Sequence, residues 1–153
     1  MREKDGSNHG SSPTEDCTFL TNAPFVSVIV ATRERPDSLA LCLRSLLALR
    51  YPRYEIIVVD NAPRTSATAE LIQKLSHETS HVRYVREDHP GVGWALNRGI
   101  MAARGEIFAF TDDDVVVDAH WLANIVKGFG LPRRWLVSLG LSSRWNLRLK
   151  HSS

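Results

Sequence analysis

Glu106-Ile107-Phe108-Ala109-Phe110-Thr111-Asp112-Asp113-Asp114 decides how the rest of this 153-residue chain is read. Its apolar half, Ile107 to Phe110, suits a strand buried on both faces of a parallel sheet. The strand runs without a break into three consecutive carboxylates. A buried strand that ends in acids delivers negative charge to the carboxyl edge of a sheet, where open α/β folds bind their ligands. Adjacent carboxylates repel one another unless a cation joins them, and hard divalent ions prefer carboxylate oxygens. The plainer alternative is a helix N-cap, where Asp is also favoured, although a cap needs only a single Asp. On this stretch alone both stay open.

Upstream the same pattern recurs. Phe25-Val26-Ser27-Val28-Ile29-Val30-Ala31 is a near-continuous apolar run that leads into Thr32-Arg33-Glu34-Arg35. Pro36 and Asp37 then open a helix whose apolar face is Leu39, Leu43, Leu46 and Leu47, continuing to about Leu49. Glu55-Ile56-Ile57-Val58-Val59-Asp60 is a second β-branched run that closes on an acid, with Asn61-Ala62-Pro63 as a turn. Thr65 or Ser66 caps the next helix, with Leu71, Ile72 and Leu75 facing inward. His81 to Arg86 mixes polar and apolar residues and belongs nearer a sheet edge. After the loop His89-Pro90-Gly91-Val92-Gly93, a helix carries Val92, Leu96, Ile100 and Ala103 inward and stops near Gly105. A last helix runs from about Asp118 to Lys127 and ends at Gly128 and Gly130; Trp135 to Leu141 suits another strand.

Strands alternating with helices over short connections imply right-handed crossovers and an α/β fold, a parallel sheet flanked by helices. Residues 1–23, rich in Ser, Gly, Asn and charge, read as a disordered leader, and 24–130 as one domain. The net charge of +2 is too small to argue for nucleic acid, but it is unevenly placed. All 17 acids lie at or before Asp118, while 6 of the 19 Lys and Arg follow it, giving residues 131–153 the look of a basic tail. Two cysteines, Cys17 and Cys42, make no disulfide framework and fit a reduced cytoplasmic setting. No run approaches the roughly 18 apolar residues of a membrane span, and the polar N-terminus is unlike a signal peptide.

A parallel sheet places Thr32-Arg33-Glu34, Asp60-Asn61 and Asp112-Asp113-Asp114 on one edge, where they can share a ligand. Gly91 and Gly93 fall short of a dinucleotide fingerprint and follow the third strand rather than the first, so they serve the turn. Arg98, one turn into the next helix, can face an anion. Trp94 is read as packing and His89 as a solvated loop residue.

Taken in order, Ser27-Val28-Ile29-Val30-Ala31-Thr32-Arg33-Glu34-Arg35-Pro36, Glu55-Ile56-Ile57-Val58-Val59-Asp60-Asn61, Asn97-Arg98-Gly99 and Phe110-Thr111-Asp112-Asp113-Asp114 resemble glycosyltransferase family 2 across residues 25–130. The resemblance implies a Rossmann-like GT-A fold that binds a nucleotide-diphosphate sugar and transfers the sugar, with inversion, to an acceptor hydroxyl on a carbohydrate, a lipid carrier or a protein. It places Thr32, Arg33, Glu34, Asp60, Asn61, Asn97, Arg98, Asp112 and Asp113 at the nucleotide sugar. Thr32 and Glu34 line the nucleoside pocket and Asp60 meets the base. Asp112 and Asp114 are the ligands of Mg²⁺ or Mn²⁺ in an Asp-x-Asp motif, with Asp113 ambiguous because three acids allow two registers.

The chain departs from that family in one respect. An inverting transferase needs a general base downstream of Asp-x-Asp, and no acid follows Asp118. The expectation is a GT-A domain incomplete on its C-terminal side, with a shift of reading frame near Gly130 and little or no turnover. A genuine basic tail that touches nucleic acid or anionic lipid headgroups, the latter at the inner membrane face, is the alternative for residues 131–153. A receiver-like regulatory module would also cluster acids at strand ends. It needs an acid pair after the first strand, where this chain has Thr32-Arg33.

Overall fold

The computed structural model describes residues 22–129 and 135–138, with side chains described over 22–128. Strands and helices alternate as β1 (Val26–Thr32), α1 (Pro36–Leu47), β2 (Tyr54–Asn61), α2 (Ala67–Ser76), β3 (Val82–Glu87), α3 (Val92–Ala102), β4 (Ile107–Asp112), α4 (Trp121–Phe129) and β5 (Trp135–Ser138). Among the described residues the strands form one parallel sheet in the order β3-β2-β1-β4-β5. β1 lies at its centre, consistent with an unbroken apolar run buried on both faces. β3, the more polar strand, lies on the edge. The expected leader over 1–21 and the tail over 139–153 fall outside the described residues. Ala23, expected in the leader, is instead buried in the core, and its carbonyl accepts from Arg53 Nη1 at 3.1 Å. β5 carries the sheet past residue 130.

Strand side chains alternate between two faces. Val26, Val28, Val30, Ile56, Val58, Ile107 and Ala109 meet the inward stripes of three helices: Leu39, Cys42, Leu43 and Leu46 of α1, Ile72 of α2, and Leu122, Ile125 and Val126 of α4. Ile29, Ile57, Val59 and Phe110 face α3 through Ala95. Each large apolar side chain taken fully out of water contributes about 1.5–3 kcal/mol. α1 begins with Pro36 at its first turn and has Asp37 near its start and Arg44 near its end, each complementing the helix dipole.

Several local expectations are corrected. α3 turns Ala95 and Gly99 to the sheet, while Val92 is 37% exposed and Leu96 and Ile100 only flank the contact. The reason is close approach: a Cβ on Gly99 would stand 2.5 Å from Ile29 Cγ2 and 3.2 Å from Val59 Cγ2. Trp94 does not pack into the core; it is 56% exposed and stacks on His89 with ring centroids 4.8 Å apart. The Ser66 hydroxyl makes no cap bond and goes instead to Glu70 Oε1 at 2.6 Å. α4 starts at Trp121, because Asp118 Oδ1 accepts from the His120 N–H and forms a turn before it. Gly128 lies inside that helix. No helix of the described residues is long and apolar enough to cross a membrane.

At the amino end of the sheet, buried Glu55 gathers β1, β3 and the loop before β4. It accepts from Ser27 Oγ at 2.8 Å, Arg83 Nη1 at 2.7 Å and the Arg104 N–H at 2.8 Å. Burial opposes its charge, but these donors together hold its carboxyl below the usual range. Gly105 closes the same corner by donating to Ser27 Oγ at 2.8 Å.

Candidate functional site

Register brings the strand ends together. Thr32 pairs with Asp60 across β1 and β2, and Ala31 pairs with Asp112 across β1 and β4. The chain leaves both β1 and β2 through left-handed residues that are not glycine, Glu34 at φ 54° and Ala62 at φ 46°. Such conformations are costly for side-chain-bearing residues and concentrate at functional sites. At Glu34 the surroundings show what holds it. Its carboxylate accepts from the Arg64 N–H at 2.8 Å, the Thr65 N–H at 3.2 Å and Thr65 Oγ1 at 3.3 Å. The Arg64 bond leads in keeping this carboxyl below the usual range. Glu34 therefore braces the loop after β2 from the loop after β1.

Asn61 makes a second brace. Its Nδ2 donates to the His89 carbonyl at 2.7 Å, and its Oδ1 accepts from the Gly91 N–H at 2.9 Å. Gly91 has φ 129°, a conformation that needs glycine, and it caps α3. Between this loop and the loop after β1 lies a cleft of about 460 Å³ lined by Ala31, Thr32, Arg33, Arg35, Asn61, Gly91, Val92, Ala95 and Asp113. That volume suits a small-molecule ligand.

The acid triplet divides by environment. Asp113 is buried and fully engaged: Thr32 Oγ1 donates to its Oδ2 at 2.7 Å, and Arg35 Nη1 stands 3.5 Å from its Oδ1. Arg35 also reaches Asp114 Oδ2 at 3.7 Å. Asp114 is exposed, and Asp112 is half-buried. Burial, reinforced by the charges of Asp114 and Asp113, pushes the Asp112 carboxyl above its ordinary range. Cys42 Sγ contacts the Asp112 carbonyl at 3.4 Å, and burial plus the three Asp charges push its thiol up to about 12.

Asp60 is completely buried. Tyr84 donates to its Oδ2 at 3.0 Å, while Oδ1 has no hydrogen-bond partner. Burial raises its pKa despite the Tyr84 bond, with the charge of Glu34 adding to the rise and Arg86 and Thr68 opposing it. A buried carboxylate oxygen without a partner is costly to the fold.

Thr32, Arg33, Asn61 and Asp113 thus line the cleft, and Asp60 and Asp112 end the strands beside it. Asn97 and Arg98 lie farther along α3, exposed and outside the cleft lining. Arg35 is a site residue that sequence reasoning passed over. The signal was present: an arginine in the same loop as Thr32, facing an acid triplet that needs a counter-charge. Among the described residues no group of three or more His, Cys, Asp and Glu is arranged to hold a metal. Asp112 and Asp114 are the less buried members of the triplet, and Asp114 shares Arg35 with Asp113. Mg²⁺ and similar ions are held by one or two carboxylates completed by phosphate and water, a number of carboxylates that the triplet supplies.

The family profile for glycosyl transferase family 2 matches residues 27–139. The chain belongs to that family. Among curated relatives it is 32% identical over 119 residues to the glycosyltransferase AglE of Haloferax volcanii, covering 74% of this chain and 39% of AglE. It is 35% identical over 106 residues to the succinoglycan biosynthesis protein ExoM of Rhizobium meliloti, covering 67% of this chain and 34% of ExoM. Among solved structures it is similar to the mannosyltransferase PcManGT of Pyrobaculum calidifontis in complex with GDP-Man and Mn²⁺. The TM-score is 0.66 at 31% identity, over 73% of this chain and 34% of that one. It also shares its fold with S. aureus TarS 1–349 in complex with UDP-GlcNAc, at TM-score 0.59 and 23% identity, over 67% of this chain and 30% of that one. The fold is therefore the GT-A type, of which this chain is a part. It spans 39% or less of the length of the curated relatives named here.

Proposed function

We propose that this chain is the donor-binding part of a metal-dependent, inverting glycosyltransferase that uses a nucleotide-diphosphate sugar. The observation that carries the reading is the junction of three strand ends at one cleft, closed by the Thr32 to Asp113 hydrogen bond of 2.7 Å. The complexes of similar structures with GDP-Man and Mn²⁺, and with UDP-GlcNAc, support it. In this reading Thr32, Arg33 and Asn61 line the nucleoside side of the cleft. Asp60 Oδ1, buried without a partner, accepts an N–H of the base. Glu34 acts by bracing the loop after β2. Arg98 and Asn97, exposed on α3, serve the outer rim.

Asp112 and Asp114 would hold Mg²⁺ or Mn²⁺. A bound ion of this kind neutralises the charge that gathers on a diphosphate leaving group. Asp113 keeps the acid loop in place through Thr32 and Arg35. Transfer with inversion also requires a base on the acceptor hydroxyl, and no acid follows Asp118 in this sequence. In this reading the described residues supply the donor side, taking up nucleotide diphosphate and metal. The chain's site of action in this reading is the cytoplasm or the inner membrane face, on an acceptor that is a carbohydrate, a lipid carrier or a protein. Titration calorimetry of the full chain with UDP and GDP, each with Mn²⁺, tests the proposal. Saturable metal-dependent heat is expected below millimolar ligand, and silence at millimolar concentrations of both refutes it.

A further inference from the structure

Arg35 meets three features at once. It occupies the cap position of α1, it lines the cleft, and it contacts two members of the acid triplet. Its side chain is 61% exposed, as is 59% of its partner Asp114, so this contact is weak and exchanges readily. Guanidinium donors match phosphate oxygens as well as they match carboxylates. A positive charge resting on Asp114 lowers the pull of that carboxylate on any arriving cation. A diphosphate in the cleft offers the same guanidinium a stronger set of acceptors.

We propose that Arg35 is a positioning residue that couples metal binding to nucleotide binding. Without nucleotide it rests on Asp113 and Asp114 and weakens the hold of the triplet on a divalent ion. With a diphosphate in the cleft it moves onto the phosphate oxygens and leaves Asp114 to the ion. Because coupling between two ligands is reciprocal, Arg35 strengthens the dependence of each on the other. The proposal rests on the assignment of Asp112 and Asp114 to the metal.

The test is a Mn²⁺ titration of the full chain read by the electron paramagnetic resonance of free Mn²⁺, alone and with saturating UDP or GDP. The parent, R35Q and R35K are compared. R35Q is expected to bind Mn²⁺ alone about threefold to fivefold more tightly, the scale of an exposed ion pair. The gain in Mn²⁺ affinity from nucleotide is expected to shrink by at least that factor. R35K, which keeps the charge but loses the planar donor fork that matches phosphate oxygens, should fall between the two, and it decides the matter if R35Q does not fold. Mn²⁺ affinity and nucleotide gain unchanged in the folded variants overturn the role of Arg35 while leaving the donor site intact. Absence of Mn²⁺ binding by the parent with either nucleotide overturns the donor-site reading and this proposal with it.

Discussion

Replacing Gly99 by Ala should destabilise the protein, although the same exchange elsewhere in α3 should stabilise it. In a helix interior Ala is favoured over Gly by about 1 kcal/mol. At Gly99 that gain meets an obstacle, since the added Cβ stands 2.5 Å from Ile29 Cγ2 and 3.2 Å from Val59 Cγ2. Both neighbours are fully buried and branch at Cβ, so neither methyl can swing away. Overpacking of a dense core costs about 1–3 kcal/mol, and a contact this short belongs at the upper end. The expected net loss is about 1–2 kcal/mol. At Gly93 nothing lies within 4 Å of the added Cβ, so Gly93→Ala should gain about 0.5–1 kcal/mol. Urea unfolding of both variants would show midpoints displaced in opposite directions. Ile29→Leu removes the offending branch methyl, and in combination with Gly99→Ala it should recover about 1 kcal/mol relative to additivity. A Gly99→Ala variant as stable as the parent would refute the close-approach account of how α3 is seated against the cleft.

Other expectations concern charge. Glu55→Gln should lose about 2–3 kcal/mol at neutral pH, because Arg83 is left beside a neutral partner. The folded pKa of Glu55 is lowered, so its contribution is complete above the unfolded carboxylate value and lost as pH falls through the folded one. The gap between parent and variant in urea should therefore be wide at pH 7 and narrow only once pH falls below the ordinary carboxylate range. Asp60 behaves oppositely: its raised pKa means that ionisation costs stability as pH rises past the ordinary carboxylate range. Asp60→Asn should equal or exceed the parent in thermal stability at pH 7, yet bind UDP or GDP at least tenfold more weakly by calorimetry. A variant that melts lower with unchanged nucleotide affinity would contradict this. Asp113→Asn should lose about 1–2 kcal/mol by weakening its bonds to Thr32 and Arg35 while retaining Mn²⁺. Asp114→Asn should keep its stability and lose Mn²⁺ affinity, and the reverse pattern would move the metal to Asp113.

Much of the fold was legible because burial on both faces writes itself as continuous apolar sequence. β1, β2 and β4 are such runs, and their parallel arrangement alone places Thr32, Asp60 and Asp112 on one edge. On α3, Leu96, Ile100 and Ala103 were legible as core-packing residues, while Ala95 and Gly99 were missed because they make the closest contact by being small, which hydrophobic periodicity does not register. Arg35 was passed over because a cation next to a helix-starting proline looks like ordinary solvated loop. The bracing of Arg64 and Thr65 by Glu34 was not legible, because it depends on a left-handed backbone that no residue type announces. The bracing of the loop before α3 by both ends of the Asn61 amide was likewise hidden, because it depends on a long-range contact. Trp94 illustrates a different limit. Composition favours burial of tryptophan, but its position beside Gly91 and His89 leaves it at the surface.

Cys42 lies directly beneath the acid loop, and its thiol, pushed to about 12, is almost wholly protonated at neutral pH. Cys42 is also fully buried, so an alkylating reagent reaches it only when the structure around it opens locally. The labelling rate at this position becomes a clock for how often the floor of the acid loop opens. Any ligand that clamps Asp112 and its neighbours should slow that clock, which provides a chemical readout of occupancy that needs no sugar, acceptor or turnover.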